Sequence, residues 1–196
     1  LAAVEVHPGF DLAGAGIAED DDGSPADFPH LEFCTDDRQV GCVISWASFR
    51  STAPPPETSY FGAPRSGEGT AACNNPAQLD GGSAETHNVF ATNRGATILA
   101  SGTEERVDAP GWIESADAIS TPFVSLPGLL SAKCATKGRF NYLEITVHGD
   151  PADPRADDIG GDLTPEWGLH LVDLNVVMGD VESLVATQAT AWAERR

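Results

Sequence analysis

Between Ser51 and about Thr121 the chain is dominated by Gly, Pro, Ser, Thr and Asn, with only short apolar runs such as NVFATN and ATILAS. A stretch this long without helical or strand periodicity is uncommon inside a compact domain. Where one occurs, it is usually a lid, a binding loop or an excursion tied down by cross-links. The regular core must therefore be built mainly from the flanks, with short strands inside the stretch at positions the pattern does not specify.

Three apolar runs stand out in those flanks. LAAVEVH (1–7) reads as a buried strand ended by PGF, and QVGCVISWASF (39–49) as a second, apolar and β-branched, bounded by TDD and STAPPPET. FNYLEITVHG (140–149) is the third. The acidic segments AEDDDGSPADFP and DPADPRADDIGGD read as surface loops. Towards the C-terminus Leu171, Leu174, Val177, Met178, Val181, Leu184, Val185 and Trp192 recur at three- and four-residue steps, which predicts an amphipathic helix starting close to His170. Three strands joined by long excursions and closed by a helix imply an α/β fold with fewer strands than such a domain normally has. With 196 residues the chain is long enough for one domain, 1–196.

The charge balance narrows the partners. Eleven basic residues stand against 30 acidic ones, for a formal net charge of -19, so nucleic acid and anionic membrane surfaces are disfavoured and a solubilising or salt-adapted surface is expected. No run of 18 or more apolar residues is present, so no membrane span is expected. Cys34, Cys42, Cys73 and Cys134 show neither C-x-x-C spacing nor a nearby histidine pair, which argues for two disulfides rather than zinc. Of three possible connectivities, Cys34–Cys42 as a local staple with Cys73–Cys134 as a long clamp is favoured. Disulfides imply an oxidising compartment, secreted or periplasmic. The opening LAAVEVHPGF carries neither an initiator Met nor a signal peptide, and an upstream portion is expected.

His170 is the leading candidate for chemistry. It follows the third strand by a loop of about twenty residues and precedes the helix, where a general base can reach a nucleophile on a neighbouring strand. The alternative is a structural histidine beside Trp167. An orienting carboxylate should come from Asp150, at the end of the third strand, with Glu57, Asp80 and Asp173 remaining open. The loop DPADPRADDIGGD lacks EF-hand spacing, so salt bridging, with Arg155 neutralising its neighbours, is preferred over calcium binding. RSGEG and LDGGSAE match neither G-x-S-x-G nor a phosphate loop and read as turns. His7, His30, His87 and His148 are dispersed, with no H-E-x-x-H. No cofactor and no metal ligand set is expected.

Taken together, QVGCVISWASFRSTAPPPETSYFG, ACNNPAQLDGG, LPGLLSAKC, NYLEITVHGDPADPR and WGLHLVDLNVVMGDVESLV resemble the C-terminal half of a bacterial family of secreted α/β-hydrolase-like proteins of unknown function, over residues 39–192. The resemblance implies a lipase- or esterase-like sheet with a disulfide-tied cap over 51–121, and His170 as general base. It also implies a serine nucleophile on a G-x-S-x-G elbow, upstream of these residues. Carboxylic ester hydrolysis on a small-molecule or lipid ester is the expected activity, and Tyr60, Phe61 and Trp112 are the expected lining of an apolar pocket. No G-x-S-x-G occurs in the 196 residues, so the chain by itself is expected to be inactive and, with an open sheet edge, poorly soluble. The rival from another class is a non-catalytic secreted binding module; a calcium-stabilised scaffold is a third.

Overall fold

The computed structural model describes residues 32–59, 61–64, 71–91, 97–99, 106–108, 120–150, 152, 158–162 and 164–195. The expected first strand at 1–7, the acidic loop that follows it, His7, His30, Tyr60, Trp112 and Arg155 lie outside the described residues. The elements are β1 (Glu32–Phe33), β2 (Cys42–Val43), β3 (Ser48–Arg50), β4 (Ala84–Glu85), β5 (Phe90–Ala91), β6 (Thr97–Leu99), β7 (Arg106–Asp108), β8 (Phe123–Val124), β9 (Leu130–Lys137), β10 (Phe140–Val147) and helix α1 (Met178–Glu194).

A long hairpin is the centre of the fold. β9 and β10 pair antiparallel over their full length, from Phe140 opposite Lys137 to Val147 opposite Leu130. Only Gly138 and Arg139 separate them. A two-residue hairpin loop whose twist matches the strands demands positive φ, and Gly138 supplies it at +60°. β3 joins β10 in parallel, β4 joins β9 antiparallel, and the order is β3-β10-β9-β4. Three further strand pairs are two-stranded: β1 with β2, β5 with β8, and β6 with β7.

Both faces of this sheet are covered. Along β10, Phe140 and Tyr142 pack with Ala47, Phe49 and Phe61, whereas Leu143 and Ile145 pack with Leu169, Val172 and Val177. Successive side chains of a strand point to opposite faces, so the two sets mark two cores. This is why FNYLEITV reads as a nearly continuous apolar run. Phe49 meets Tyr142 edge to face at 5.7 Å, an added attraction beyond burial.

Two disulfides join Cys34 to Cys42 and Cys73 to Cys134, the favoured pairing. The second clamps the 71–91 region to β9. No helix among the described residues is long and apolar enough to cross a membrane.

Three expectations need correction. The single strand expected over 39–49 is two short strands. Between them the Ser45 main chain is held by Asn74, its N–H donating to the Asn74 side-chain Oδ1 at 3.0 Å and its carbonyl accepting from Asn74 N at 2.8 Å, so this stretch pairs with a loop instead of a sheet. The α-helix begins at Met178, after 3-10 turns at His170–Val172 and Asn175–Val177. There the carbonyls of Asp173 and Asn175 accept from Trp46 Nε1 and Val89 N, neighbours outside the helix. Leu174, Val185 and Trp192, expected on the apolar face, are exposed. β9 had no counterpart in the sequence reading, and β4 places part of the 51–121 excursion inside the main sheet.

Candidate active site

The residues just before His170 are laid along β3. Leu169 N donates to Ser48 O at 2.9 Å, and Trp167 N and Gly168 N both donate to Thr164 O at 3.0 Å. Gly168 has φ +53° and lies so close to Phe49 that a Cβ there would come within 2.4 Å of the ring. Only glycine satisfies both the backbone and the contact.

His170 opens the first 3-10 turn. With three residues per turn, side chains at i and i+3 eclipse, which sets His170 over Asp173. Nδ1 of His170 lies 2.7 Å from Asp173 Oδ2. Asp173 is buried, and its Oδ1 accepts the Ser48 N–H at 2.8 Å. Burial holds the Asp173 carboxyl above its ordinary pKa, opposed by the hydrogen bonds from His170 and from Ser48. The imidazole faces Phe61, ring centroids 4.0 Å apart, with Trp167 at 5.6 Å, and its side chain is 15% exposed. A carboxylate at Nδ1 favours the tautomer with the proton on that nitrogen, which places the ring's lone pair on Nε2. Among the described residues the buried Ser48 hydroxyl meets no hydrogen-bond partner by geometry, and the contact of β3 with Asp173 that the geometry defines is the Ser48 N–H.

Of the carboxylates considered from the sequence, Asp173 takes Nδ1 of His170, not Asp150. Asp150 is exposed beyond β10, where its Oδ1 accepts Ala152 N at 2.9 Å. Glu57 lies 3.9 Å from Arg139 Nε, and Asp80 is exposed on a separate cavity. The second acidic loop is salt-bridged to β3 through Arg50, whose Nη1 meets Asp158 Oδ1 at 2.7 Å and whose Nε donates to Asp162 Oδ2 at 2.8 Å. No three His, Cys, Asp or Glu side chains converge to hold a metal among the described residues.

A second carboxylate-held histidine was not singled out from the sequence. His87 Nδ1 lies 2.6 Å from Oδ1 of buried Asp180, and His87 N donates to Oδ2 of the same carboxylate at 2.9 Å. Gly179 makes room for it, its N–H donating to His87 O at 2.8 Å and its missing Cβ avoiding the His87 side chain. The two residues are 93 positions apart, so no local pattern links them. His148 Nε2 meets Ser131 Oγ at 2.8 Å across the hairpin, without a carboxylate at Nδ1 among the described residues. Comparison with protein-family models, curated proteins and solved structures finds no match to this chain.

Proposed function

We propose that His170 and Asp173 form the proton-transfer half of an acyl-transfer site that hydrolyses carboxylic esters. In this reading a serine hydroxyl attacks the ester carbonyl as His170 Nε2 takes its proton. The imidazolium returns that proton to the leaving alcohol, and water then repeats the sequence to release the acid. Asp173 steadies the imidazolium and keeps the proton on Nδ1. One observation carries this reading: the 2.7 Å bond between His170 and a buried carboxylate that a strand amide also holds. The resemblance to secreted α/β-hydrolase-like proteins supplies the reaction class, the expected serine elbow and the cap. The two disulfides favour an oxidising, extracytoplasmic compartment.

A second reading, a non-catalytic binding module, draws on the shielding of the His170 ring against Phe61. The test is short-chain aryl-ester hydrolysis by the protein expressed from its complete gene, comparing wild type with His170→Ala and following serine labelling by a fluorophosphonate. Turnover and labelling in wild type, with turnover lost by about three or more orders of magnitude in the variant at an unchanged melt, support the hydrolase. No turnover and no labelling support the binding module.

A further inference from the structure

The Cys34–Cys42 loop, the turn after Asn75 and the start of α1 border a half-open cavity of about 470 Å³, lined by neither His170 nor Asp173. That volume lies in the range of small-molecule sites. Its walls are set in advance. The disulfide closes one, and Asn75 holds another by donating to Ala132 O at 2.8 Å while accepting from Ala77 N at 3.2 Å. The His87–Asp180 pair joins the third wall to the loop after β4.

The chemistry of the lining is one-sided. Asp36, Asp37, Asp80 and the His87–Asp180 pair contribute charge, Leu79 and Leu184 contribute apolar surface, and no Lys or Arg is among the lining residues. Among the described residues, the carboxylates of Asp37 and Asp80 have no hydrogen-bond or ion-pair partner. His87, 80% exposed in its side chain, has Nδ1 committed to Asp180 and Nε2 uncommitted among the described residues.

We propose that this cavity binds a small organic cation, an amine or guanidinium on a short apolar stem. The half-open cavity and the fixed His87 make the site, and the carboxylates of Asp37 and Asp80, unpaired among the described residues, choose the sign of the ligand. Neutral His87 accepts an N–H from the cation at Nε2, Asp37 and Asp80 balance its charge, and Leu79 and Leu184 take the stem. A bare metal ion fits less well, because no three ligating side chains converge among the described residues and part of the wall is apolar.

Affinity should depend on the state of His87. The groups around it are Asp180 on α1, Glu85 on β4, Asp36 and Asp37 on the disulfide loop and Asp80 on the turn. Protonation turns Nε2 into a donor and makes the His87–Asp180 pair neutral, so cation binding weakens as pH falls through the His87 titration.

The test is calorimetric titration of the protein at low ionic strength with 1,4-diaminobutane, whose amines stay largely cationic below about pH 9, and with butane-1,4-diol as the neutral control. Diamine binding at pH 8.5 that is several-fold weaker at pH 6 is expected, with no binding of the diol. The double variant Asp37→Asn, Asp80→Asn removes two exposed carboxylates that have no partner among the described residues and should weaken diamine binding about tenfold at an unchanged melt. His87→Gln should remove the pH dependence. Absent diamine binding, equal binding of the diol, an unaffected double variant, affinity independent of pH, or displacement of the diamine by equimolar calcium would each overturn the proposal.

Discussion

The Ser48 N–H donates to Asp173 Oδ1 at 2.8 Å, and this bond ties the carboxylate behind His170 to the strand that pairs with β10. The His170–Asp173 pair is thus anchored to the central sheet rather than to a loop alone. Such anchoring is what a reactive imidazole needs if its orientation is to survive thermal motion.

Asp173→Asn should separate stability from activity. The folded pKa of Asp173 lies above its unfolded value, so its contribution is fully present below the unfolded pKa of about 4 and is lost as pH rises through the raised folded value. At neutral pH the amide removes the buried charge, and its oxygen can still accept the Ser48 N–H. The melting temperature should stay level or rise. Under the proposed ester hydrolysis, turnover should fall by about three to four orders of magnitude, because the amide NH₂ would face Nδ1 and favour the wrong imidazole tautomer. A variant that melts much lower while turning over at the wild-type rate would show Asp173 to be structural.

Gly168→Ala should destabilise the fold by about 2–4 kcal/mol, since a Cβ would meet the buried Phe49 ring and the backbone has φ +53°. Urea unfolding measures it. A midpoint unchanged from wild type would mean that the loop before His170 does not rest on β3.

His87 gives the stability curve a second pH dependence. Its hydrogen bond with Asp180, and then the charge of that carboxylate, raise its pKa, so the stabilisation is complete below about pH 6.5 and disappears as pH rises through the raised value. Wild type should lose melting temperature across that interval by more than His87→Gln does. Parallel curves for the two proteins would remove the pair from the stability account.

The two disulfides should differ in worth. Cys73–Cys134 closes a loop of 61 residues and Cys34–Cys42 one of 8. Loop-closure entropy makes the first worth about 4 kcal/mol and the second about 2.5 kcal/mol. Paired Cys→Ser variants, compared by denaturant midpoint, should fall in that order; the reverse order would mean that the local staple holds more native structure than its loop length implies.

What the sequence by itself determined was mostly one-dimensional. The apolar run of β10, the helical periodicity after Met178, the negative charge and the prominence of His170 before the helix are properties of neighbouring residues. The cysteine pairing came from choosing a local staple over two other connectivities. Tertiary structure decided the rest. β9 leaves no clear strand pattern in the sequence because its outer half is polar and its register comes from Gly138 and from pairing with β10. Asp173 became the partner of His170 because the turn is 3-10 and eclipses i with i+3, whereas the sequence pattern predicted an α-helix. Ser48 reaches Asp173 across 125 positions and His87 reaches Asp180 across 93. Periodicity marks where an element forms; which of its side chains are buried, as the exposed Leu174, Val185 and Trp192 show, and which distant groups meet there are set only when the elements pack.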